Sequence, residues 1–297
     1  MSESKNIWLF LHWEGEGDGM FADLHLHSTF SDGTDTPQEL CSLAQVNNVK
    51  VISITDHDAV GALKELQHAI PKDVKVIPGV EISTIYKRKY LHVLGYYIDI
   101  FDKQLENFIA RISGEKTENT RVNFENAVSK GIFNYKWERV LELNGEQPRI
   151  SGVHVVKAMQ IDRHTIPDMK LWDMFHLCFW AEGQEFIETE TTSGYDAIDI
   201  IKQIGGIPII AHPKSIKNDD IVLDLLRYGA QGLEVFHPIH SLEETKKYKQ
   251  ITEENKKYIS GGSDWHGKNN GAEVTHFAMT GLKHENYEIL KFGNYSF

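Results

Sequence analysis

Cysteine is scarce in this chain, which has only two among its 297 residues, Cys41 and Cys178. They lie far apart and neither belongs to a CxxC pair, so we expect no disulfide framework and a reducing, cytoplasmic location. Long apolar runs are also missing: the two longest, at residues 7–11 and, with interruptions, 171–180, fall far short of the roughly 20 residues that span a bilayer. The first 19 residues lack the basic start and cleavage site of a secretory signal. These absences predict a protein without a membrane span.

Positive charge is in deficit, with 31 lysines and arginines against 43 aspartates and glutamates and a formal net charge of −12. Proteins that hold long duplex nucleic acid do so with a basic surface that neutralises phosphates. We therefore expect no duplex DNA partner. A small phosphorylated substrate or a nucleic-acid end stays compatible with this charge, because bound metal cations supply positive charge inside a small site.

Apolar residues make up 41% of the chain, which is enough to bury a sizeable core. From residue 20 on, short β-rich runs alternate with helical stretches, which is the pattern of parallel βα units and predicts a barrel-like α/β domain. Helices are predicted at residues 37–47, after Thr36 as N-cap with a proline at the first helical position, and at 59–70 and 194–204. Strands are predicted at residues 21–26, 49–55, 74–82, 90–97, 207–211, 232–236 and 258–261.

Residues 99–190 interrupt this alternation. They show helical periodicity at 103–129, a polar turn at 144–148 and a second helical segment near 152–160. We interpret them as an inserted helical subdomain, which divides the barrel domain into residues 20–98 and 191–297. Residues 1–19 fit neither part and are interpreted as an N-terminal extension.

Two histidines close the first predicted strand. His25 and His27 alternate along an extended chain, so both side chains project to the same face of the sheet. Two imidazoles on one face can share a metal ion, although half-buried histidines are also common on strands that bind none. The two histidines alone are therefore weak evidence for a metal site, and the case depends on which residues the other strands carry.

Residues of the same kind recur at the end of nearly every predicted strand. Parallel barrels place their active sites at this carboxyl edge, where side chains from several strands converge. The recurrence therefore predicts a metal site with several histidines. The residues concerned, most of them at or just past a strand end, are Asp56-His57-Asp58, Glu81, His92, His212, His237 and Asp264-x-His266.

Five segments resemble, in order, the successive motifs of the PHP (polymerase and histidinol phosphatase) family: His25-x-His27, Thr55-Asp56-His57-Asp58, Pro78-Gly79-Val80-Glu81, Ala211-His212-Pro213 and Gly262-Ser263-Asp264-x-His266. The resemblance runs from about residue 20 to the last predicted strand. The layout with a helical insert is similar to family members that act on nucleoside 3′,5′-bisphosphates and on RNA 5′ ends. It implies a distorted (β/α)7 barrel with a trinuclear metal centre.

The resemblance also implies which residues hold the ions. His25, His27, Glu81 and Asp264 would hold one ion, Glu81 would bridge to a second that His92 and His212 complete, and Asp32, His57 and His266 would hold a third. For Asp32, which stands where some relatives carry histidine, a plain turn aspartate is the alternative. A nitrogen and oxygen ligand set without thiolate suits Mn, Fe or Zn better than Mg or Ca, so we expect two or three divalent ions of that kind.

Such ions lower the pKa of bound water, so that hydroxide attacks phosphorus while the cations neutralise the phosphate. Among the other polar residues, His237 and Asp56 are the catalytic candidates. His237 would contact the substrate phosphate or protonate the leaving group, with a neutral structural histidine as the alternative. Asp56, like Asp58, flanks His57, and one of these two aspartates is expected to orient an imidazole.

Four further residues are candidates for contacts with the substrate. Lys214 directly follows the motif at His212 and would contact a phosphate, a solvated lysine being the alternative. Arg149, His154 and Lys157 lie in the insert, and a lid above a barrel mouth is where contacts to a second phosphate or a ribose would come from. Relatives tend to carry an arginine close before this histidine, whereas Arg149 is the nearest one here, which leaves the substrate open.

Three functions are compatible with the sequence. The leading hypothesis is a metal-dependent phosphatase or short-range exonuclease acting on a nucleoside 3′,5′-bisphosphate or an RNA 5′ end. The second is a phosphatase of a small metabolite such as histidinol phosphate, for which a barrel without an insert would suffice. The third is a non-catalytic metal-binding module, which is disfavoured because every implied ligand position holds a residue that can bind a metal. The oligomeric state is not predicted.

Overall fold

The computed structural model describes residues 21–66, 71–145, 147–268 and 276–292. The predicted N-terminal extension, residues 1–19, lies outside the described residues, as does the end of the predicted helix at residues 59–70. Among the helices of the described ranges, none combines the length and the apolar character needed to cross a bilayer.

Seven strands form one sheet, in which each strand pairs with its neighbours along the chain. They lie where the sequence predicts them, with ends shifted by a few residues. Their bounds are β1 Ala22–Leu26, β2 Val51–Ile54, β3 Lys75–Tyr86, β4 Lys89–Tyr96, β5 Ile207–Ile210, β6 Gly232–Phe236 and β7 Tyr258–Gly261.

The sheet nearly closes on itself. After β7, Trp265 forms a parallel bridge with Leu26 of β1, and the backbone N–H of His27 donates to the carbonyl of Trp265 at 2.9 Å. A Cβ added to Gly262 would lie 2.4 Å from the backbone nitrogen of His25, so only glycine lets the two segments pass this close. The result is a seven-stranded barrel, and the predicted α/β barrel is confirmed.

The fourth strand departs from the expected parallel order. β3 and β4 form an antiparallel hairpin, whose two-residue turn has positive φ angles at Lys87 and Arg88, and β4 is also antiparallel to β5. The pattern of parallel βα units does not extend to β4, because only the two residues of this turn, and no helix-length crossover, separate β3 from β4. As a result His92 lies opposite Ser83, in the first half of β4, and still reaches the rim that carries the other candidate ligands.

The described helices divide between the barrel and the insert. Those of the barrel are α1 Pro37–Val46, α2 Gly61–Leu66, α7 Gly194–Gln203, α8 Asp219–Tyr228, α9 Leu242–Glu254 and α10 His284–Phe292, with a short 3-10 helix at Pro213–Ile216. Those of the insert are α3 Lys103–Ser129, α4 Trp137–Asn144, α5 Gly152–Ile161 and α6 Leu171–Cys178. α3 has the bounds that its periodicity predicts.

Helices α3–α6 build a hydrophobic cluster that is separate from the barrel core. Phe124, Val140 and Met159 are among its buried members. The first half of α3 packs instead into the barrel core, through Leu105 and Ile112. α3 thus joins the two clusters. The boundaries of the insert at residues 99 and 190 stay a prediction, and α3–α6 all lie within them.

One face of α3 carries asparagines that pair with the chain returning to the barrel. Asn123 Nδ2 donates to the carbonyl of Ile187 at 2.9 Å, and Asn123 Oδ1 accepts from the Ile187 N–H at 2.7 Å. Asn119 donates to the same carbonyl at 2.7 Å, and Asn126 donates to the carbonyl of Glu185 at 3.1 Å. Because buried backbone groups need partners, these amides fix the path of the return segment.

We expect Asn123→Ala to lower the free energy of unfolding by about 1–3 kcal/mol, because it leaves the Ile187 N–H without its partner. Urea unfolding followed by circular dichroism measures the change. Glu125→Ala, an exposed position on the same helix, is the control and should cost no more than about 0.5 kcal/mol. Equal losses in both variants would contradict the proposed role of the asparagine.

Candidate metal centre

The nine candidate ligands meet at one rim of the barrel. Three of them lie on strands, His25 on β1, Glu81 on β3 and His92 on β4. The others occupy the segments that follow strands: His27, Asp32, His57, His212, Asp264 and His266. All nine are buried or half-buried. The structure therefore brings the whole predicted set together.

Glu81 is the centre of the cluster and is fully buried. Its two carboxylate oxygens lie 2.8–3.2 Å from ring nitrogens of five histidines: His25, His27, His57, His92 and His212. Oε2 faces the first three of these rings and Oε1 faces the last two. A carboxylate whose oxygens face different groups of imidazoles is suited to bridge two ions.

Two aspartates extend the cluster. Asp264 Oδ1 lies 3.1 Å from His27 Nε2 and 3.4 Å from His25 Nε2. Asp32 Oδ1 lies 3.3 Å from His266 Nε2, and its Oδ2 lies 3.9 Å from His57 Nε2. Asp32 thus faces the histidines and not merely its own turn.

Several of these donor atoms lack the hydrogen bonds that buried polar atoms normally have. The buried atoms without a hydrogen-bond partner in the described part of the chain include His25 Nε2, both ring nitrogens of His27, Asp32 Oδ1, Glu81 Oε2 and His92 Nδ1. Ligand atoms about 2.1 Å from one ion, at tetrahedral or octahedral angles, lie about 3.0–3.4 Å from each other, which matches most of the separations given above. The residues therefore fit divalent cations.

The donor atoms form overlapping groups, so the cluster has room for more than one ion. Four groups consist only of predicted ligands, and the donor atoms of each lie within 4.8 Å of one another: His27, Asp32, His57 and His266; His25, His212 and Asp264; His25, His27 and Glu81; and His57, Glu81 and His92. Four residues belong to two groups each: His25, His27, His57 and Glu81. The division of ligands among individual ions therefore stays a proposal.

The carboxylates make this centre attractive to positive charge. Burial raises the pKa of Glu81, but the imidazoles of His57, His92 and His25 outweigh burial and hold that pKa well below its ordinary value. Burial lowers the pKa of His25, yet the charges of Glu234 and Glu81 outweigh it, so this pKa ends well above its ordinary value. A buried centre that holds the pKa of Glu81 low and the pKa of His25 high favours positive charge, which divalent cations would also supply.

Two candidate ligands have strained backbones. The φ angle is 25° at His212 and 51° at Asp264, in a region that residues with a Cβ rarely adopt. Such conformations cost of the order of 1–3 kcal/mol and persist where the surrounding structure holds them. Their occurrence at two candidate ligands indicates that the surrounding structure holds these side chains in place at the cost of backbone strain.

Asp56 does not reach the cluster. Its carboxylate accepts hydrogen bonds from the Ser28 N–H at 2.7 Å and from the hydroxyls of Ser28 and Ser31, both at 2.6 Å. These bonds fix the loop that leads to Asp32. Asp56 is thus placed to hold a ligand-bearing loop. Among the described residues it forms no hydrogen bond with the His57 imidazole, which one of the two flanking aspartates was expected to orient.

His237 lies against the cluster and is almost fully buried. Its Nδ1 accepts a hydrogen bond from the Ile239 N–H at 3.2 Å, so a neutral ring carries its proton on Nε2. That Nε2 lies 3.3 Å from Asp264 Oδ2. The ring therefore donates to a candidate ligand, and its predicted catalytic role stays a proposal.

Arg149 of the insert reaches the rim. Its Nη1 donates to Asp58 Oδ2 and, at 2.9 Å, to Ser83 Oγ, which lies 3.5 Å from His57 Nδ1. The Arg149 Nε–H is buried and has no partner among the described residues. The guanidinium therefore keeps a donor next to the metal centre.

His154 and Lys157 also lie close to the ligand loops. Lys157 Nζ donates to the backbone carbonyl of Asp32. His154 Nδ1 accepts from the Ser151 N–H at 3.1 Å, while its buried Nε2 has no hydrogen-bond partner in the described ranges. Burial lowers the pKa of His154 to about 4, so the ring is neutral near pH 7.

Lys214 is not brought to the cluster. Its Nζ donates to the carbonyl of Ile239 at 2.7 Å and pairs with Glu244 Oε2 at 2.9 Å, and its side chain is 42% exposed. Lys214 lies only two residues after His212, but its side chain pairs with Glu244 of α9. These contacts favour the alternative of a solvated surface lysine.

Two buried acidic residues were missed by the sequence analysis. Glu234 accepts hydrogen bonds from His25 Nδ1 at 2.9 Å and from the His212 N–H at 2.8 Å. Asp23 accepts from the Ser263 N–H at 2.9 Å, and burial raises its pKa to about 6. A signal was present in the sequence, because each is the one acidic residue inside a strand whose other residues are mostly apolar.

We expect Glu81→Gln to weaken metal binding by more than about a hundredfold, because changes to the partners of ligands already cost 10–100-fold and Glu81 faces five candidate ligands directly. Metal content after dialysis, measured by mass spectrometry, should fall by at least one ion per chain. Glu243→Gln, at an exposed position of α9, is the matched control. Unchanged metal content in the Glu81 variant would remove this residue from the centre.

The family model that matches this chain is the PHP domain, over residues 23–165. A proposed metal-dependent phosphoesterase from Bifidobacterium adolescentis has the same fold, with a TM-score of 0.78 at 24% identity over 92% of this chain and 96% of that one. An amidohydrolase from Chromobacterium violaceum, solved with bound sulfate and no metal, gives a TM-score of 0.74 at 26% identity over 86% and 90%.

Curated relatives extend over most of the chain. A phosphoribosyl 1,2-cyclic phosphate 1,2-diphosphodiesterase from Eggerthella lenta is 26% identical over 84% of this chain and 95% of its own length. A 3′,5′-nucleoside bisphosphate phosphatase from Chromobacterium violaceum is 28% identical over 84% and 88%. The 5′-3′ exoribonuclease Rnm from Salmonella typhimurium is 28% identical over 82% and 84%. Residues 23–165 thus match the PHP domain, and most of the chain is similar to phosphatases, phosphodiesterases and exoribonucleases.

Proposed function

We propose that this protein is a phosphoesterase that uses two or three Mn, Fe or Zn ions to release phosphate from a small nucleotide with two phosphate groups or from an RNA 5′ end. The observation that carries the proposal is the set of overlapping donor groups around Glu81, with buried nitrogen and oxygen atoms that lack hydrogen-bond partners in the described chain. Such a set fits several cations close together, the arrangement that phosphoesterases use.

The substrate class is supported by the relatives and by the insert. The activities named for the first two relatives concern a phosphoribosyl cyclic phosphate and a nucleoside bisphosphate, so both act on a ribose that bears more than one phosphate-linked position. In this chain the buried Arg149 Nε–H has no hydrogen-bond partner among the residues that the structure describes, and Lys157 lies beside the Asp32 loop. Guanidinium and ammonium groups at this rim suit a second phosphate.

The geometry supports distinct tasks for the residues of the chain. Glu81 and Asp264 hold carboxylate oxygens at the centre, and His237 donates its Nε2–H toward Asp264. Asp56 fixes the loop that presents Asp32. When bound, the cations supply a water nucleophile at neutral pH and neutralise the charge of the phosphate. His237, which lies beside this centre, would contact the substrate phosphate or, as an imidazolium, give a proton to the leaving oxygen and be left as a neutral ring.

We expect Mn-loaded protein to release phosphate from adenosine 3′,5′-bisphosphate or a short 5′-phosphorylated RNA with kcat/KM at least about tenfold above that for AMP, since a lost charged contact costs about 1.5–3 kcal/mol. Histidinol phosphate and a phosphoribosyl cyclic phosphate are the other substrates tested, and the metal content of the protein is assayed in parallel. A higher kcat/KM for histidinol phosphate would instead indicate a small metabolite as the substrate. Absence of turnover on every substrate, despite bound metal, would favour a binding module.

His57→Ala and Asp264→Asn should each reduce kcat by more than about a hundredfold while the barrel stays folded, because each removes a candidate ligand. Phosphate release and circular dichroism measure the two properties. His176→Ala, an exposed histidine on α6, is the control for loss of an imidazole. Near-normal turnover in both ligand variants would overturn the assignment of the site.

A further inference from the structure

Glu234 is a fully buried carboxylate that reaches from β6 to two other parts of the barrel. Its Oε1 accepts a hydrogen bond from His25 Nδ1, on β1, at 2.9 Å. Its Oε2 accepts one from the backbone N–H of His212, just past β5, at 2.8 Å. Both oxygens thus face N–H donors, and both donors belong to candidate ligands.

The contact with His25 decides which ring nitrogen is free. A carboxylate oxygen accepts hydrogen bonds, so the ring of His25 turns an Nδ1–H toward Glu234. Its Nε2 then faces the other candidate ligands, 3.2 Å from Glu81 Oε2. An ion that binds there takes the place of any proton on Nε2, while Nδ1 keeps its hydrogen bond to Glu234.

The contact with His212 acts on the backbone. His212 has φ 25° and ψ 63°, a conformation that needs outside support. Its N–H is held by Glu234, its Nδ1 lies 2.9 Å from Ser215 Oγ, and its Nε2 lies 3.1 Å from Glu81 Oε1. Without the carboxylate, the N–H would lose its partner and the backbone would be free to relax.

We propose that Glu234 is a positioning residue that sets the metal affinity of the centre, by fixing the ring of His25 and the backbone of His212 at the same time. It acts through these two ligands, since both of its oxygens are already occupied by N–H donors. Carboxylate partners of histidine ligands act in this way at other metal sites. The inference rests on the proposed function, because it takes the cluster to be a metal centre.

The test compares metal affinity in three full-length proteins stripped of metal: wild type, Glu234→Gln and Ser260→Ala. Ser260 is a buried polar residue of the same barrel whose hydroxyl pairs with Tyr96 and not with a candidate ligand. Zn²⁺ is titrated in competition with a chromophoric chelator, and circular dichroism checks the fold. We expect the Kd to rise by about 10–100-fold in Glu234→Gln and to change less than about twofold in Ser260→Ala.

Glu234→Asp supplies the second variant. It keeps the charge but retracts it by one methylene, so it should restore part of the affinity that Glu234→Gln loses. Wild-type affinity in Glu234→Gln, or equal losses in Glu234→Gln and Ser260→Ala, would overturn the inference. If Glu234→Gln does not fold, the test relies on Glu234→Asp. An unchanged Kd for Zn²⁺ in that variant would count against the positioning role of Glu234. A wild-type protein that binds no ion would instead overturn the proposed function itself.

Discussion

The structure depends on one electrostatic constraint, the concentration of acidic groups and imidazoles at a rim from which water is largely excluded. Glu81, Asp32 and Asp264 stay ionised there although burial opposes their charge. Unpaired buried charges are costly, so such a cluster persists only when positive charge compensates it. Protonated imidazoles can provide that charge, and divalent cations in the same place provide it together with a chemical function.

The barrel meets this constraint by fixing several of the candidate ligands from outside the cluster. Glu234 holds His25 and His212, and Asp56 holds the loop that carries Asp32. In each case a buried carboxylate accepts hydrogen bonds from a candidate ligand or from the loop that carries one. This surrounding network offsets the free energy that the strained backbones and the buried charges cost. It keeps the candidate ligands in position to bind ions.

The insert contributes positive charge to the same rim. Arg149 contacts Asp58 and Ser83, and Lys157 contacts the Asp32 loop, so the insert reaches the segments that carry the candidate ligands. An acidic chain thereby presents basic groups at the place where a phosphorylated substrate would bind. This local arrangement reconciles the net charge of −12 with an anionic substrate.

The sequence by itself determined the strand positions and most candidate ligands, because alternation along a strand and acidic or histidine residues at strand ends are local patterns. Asp32 was assigned only through the resemblance to the PHP family. The antiparallel pairing of β4 with β5 and the path of Lys214 away from the centre were decided by tertiary structure, since both depend on contacts between segments that lie far apart in the chain. The same holds for Glu234: its neighbours in the chain are apolar, and only the closed barrel brings His25 from β1 to within hydrogen-bonding distance.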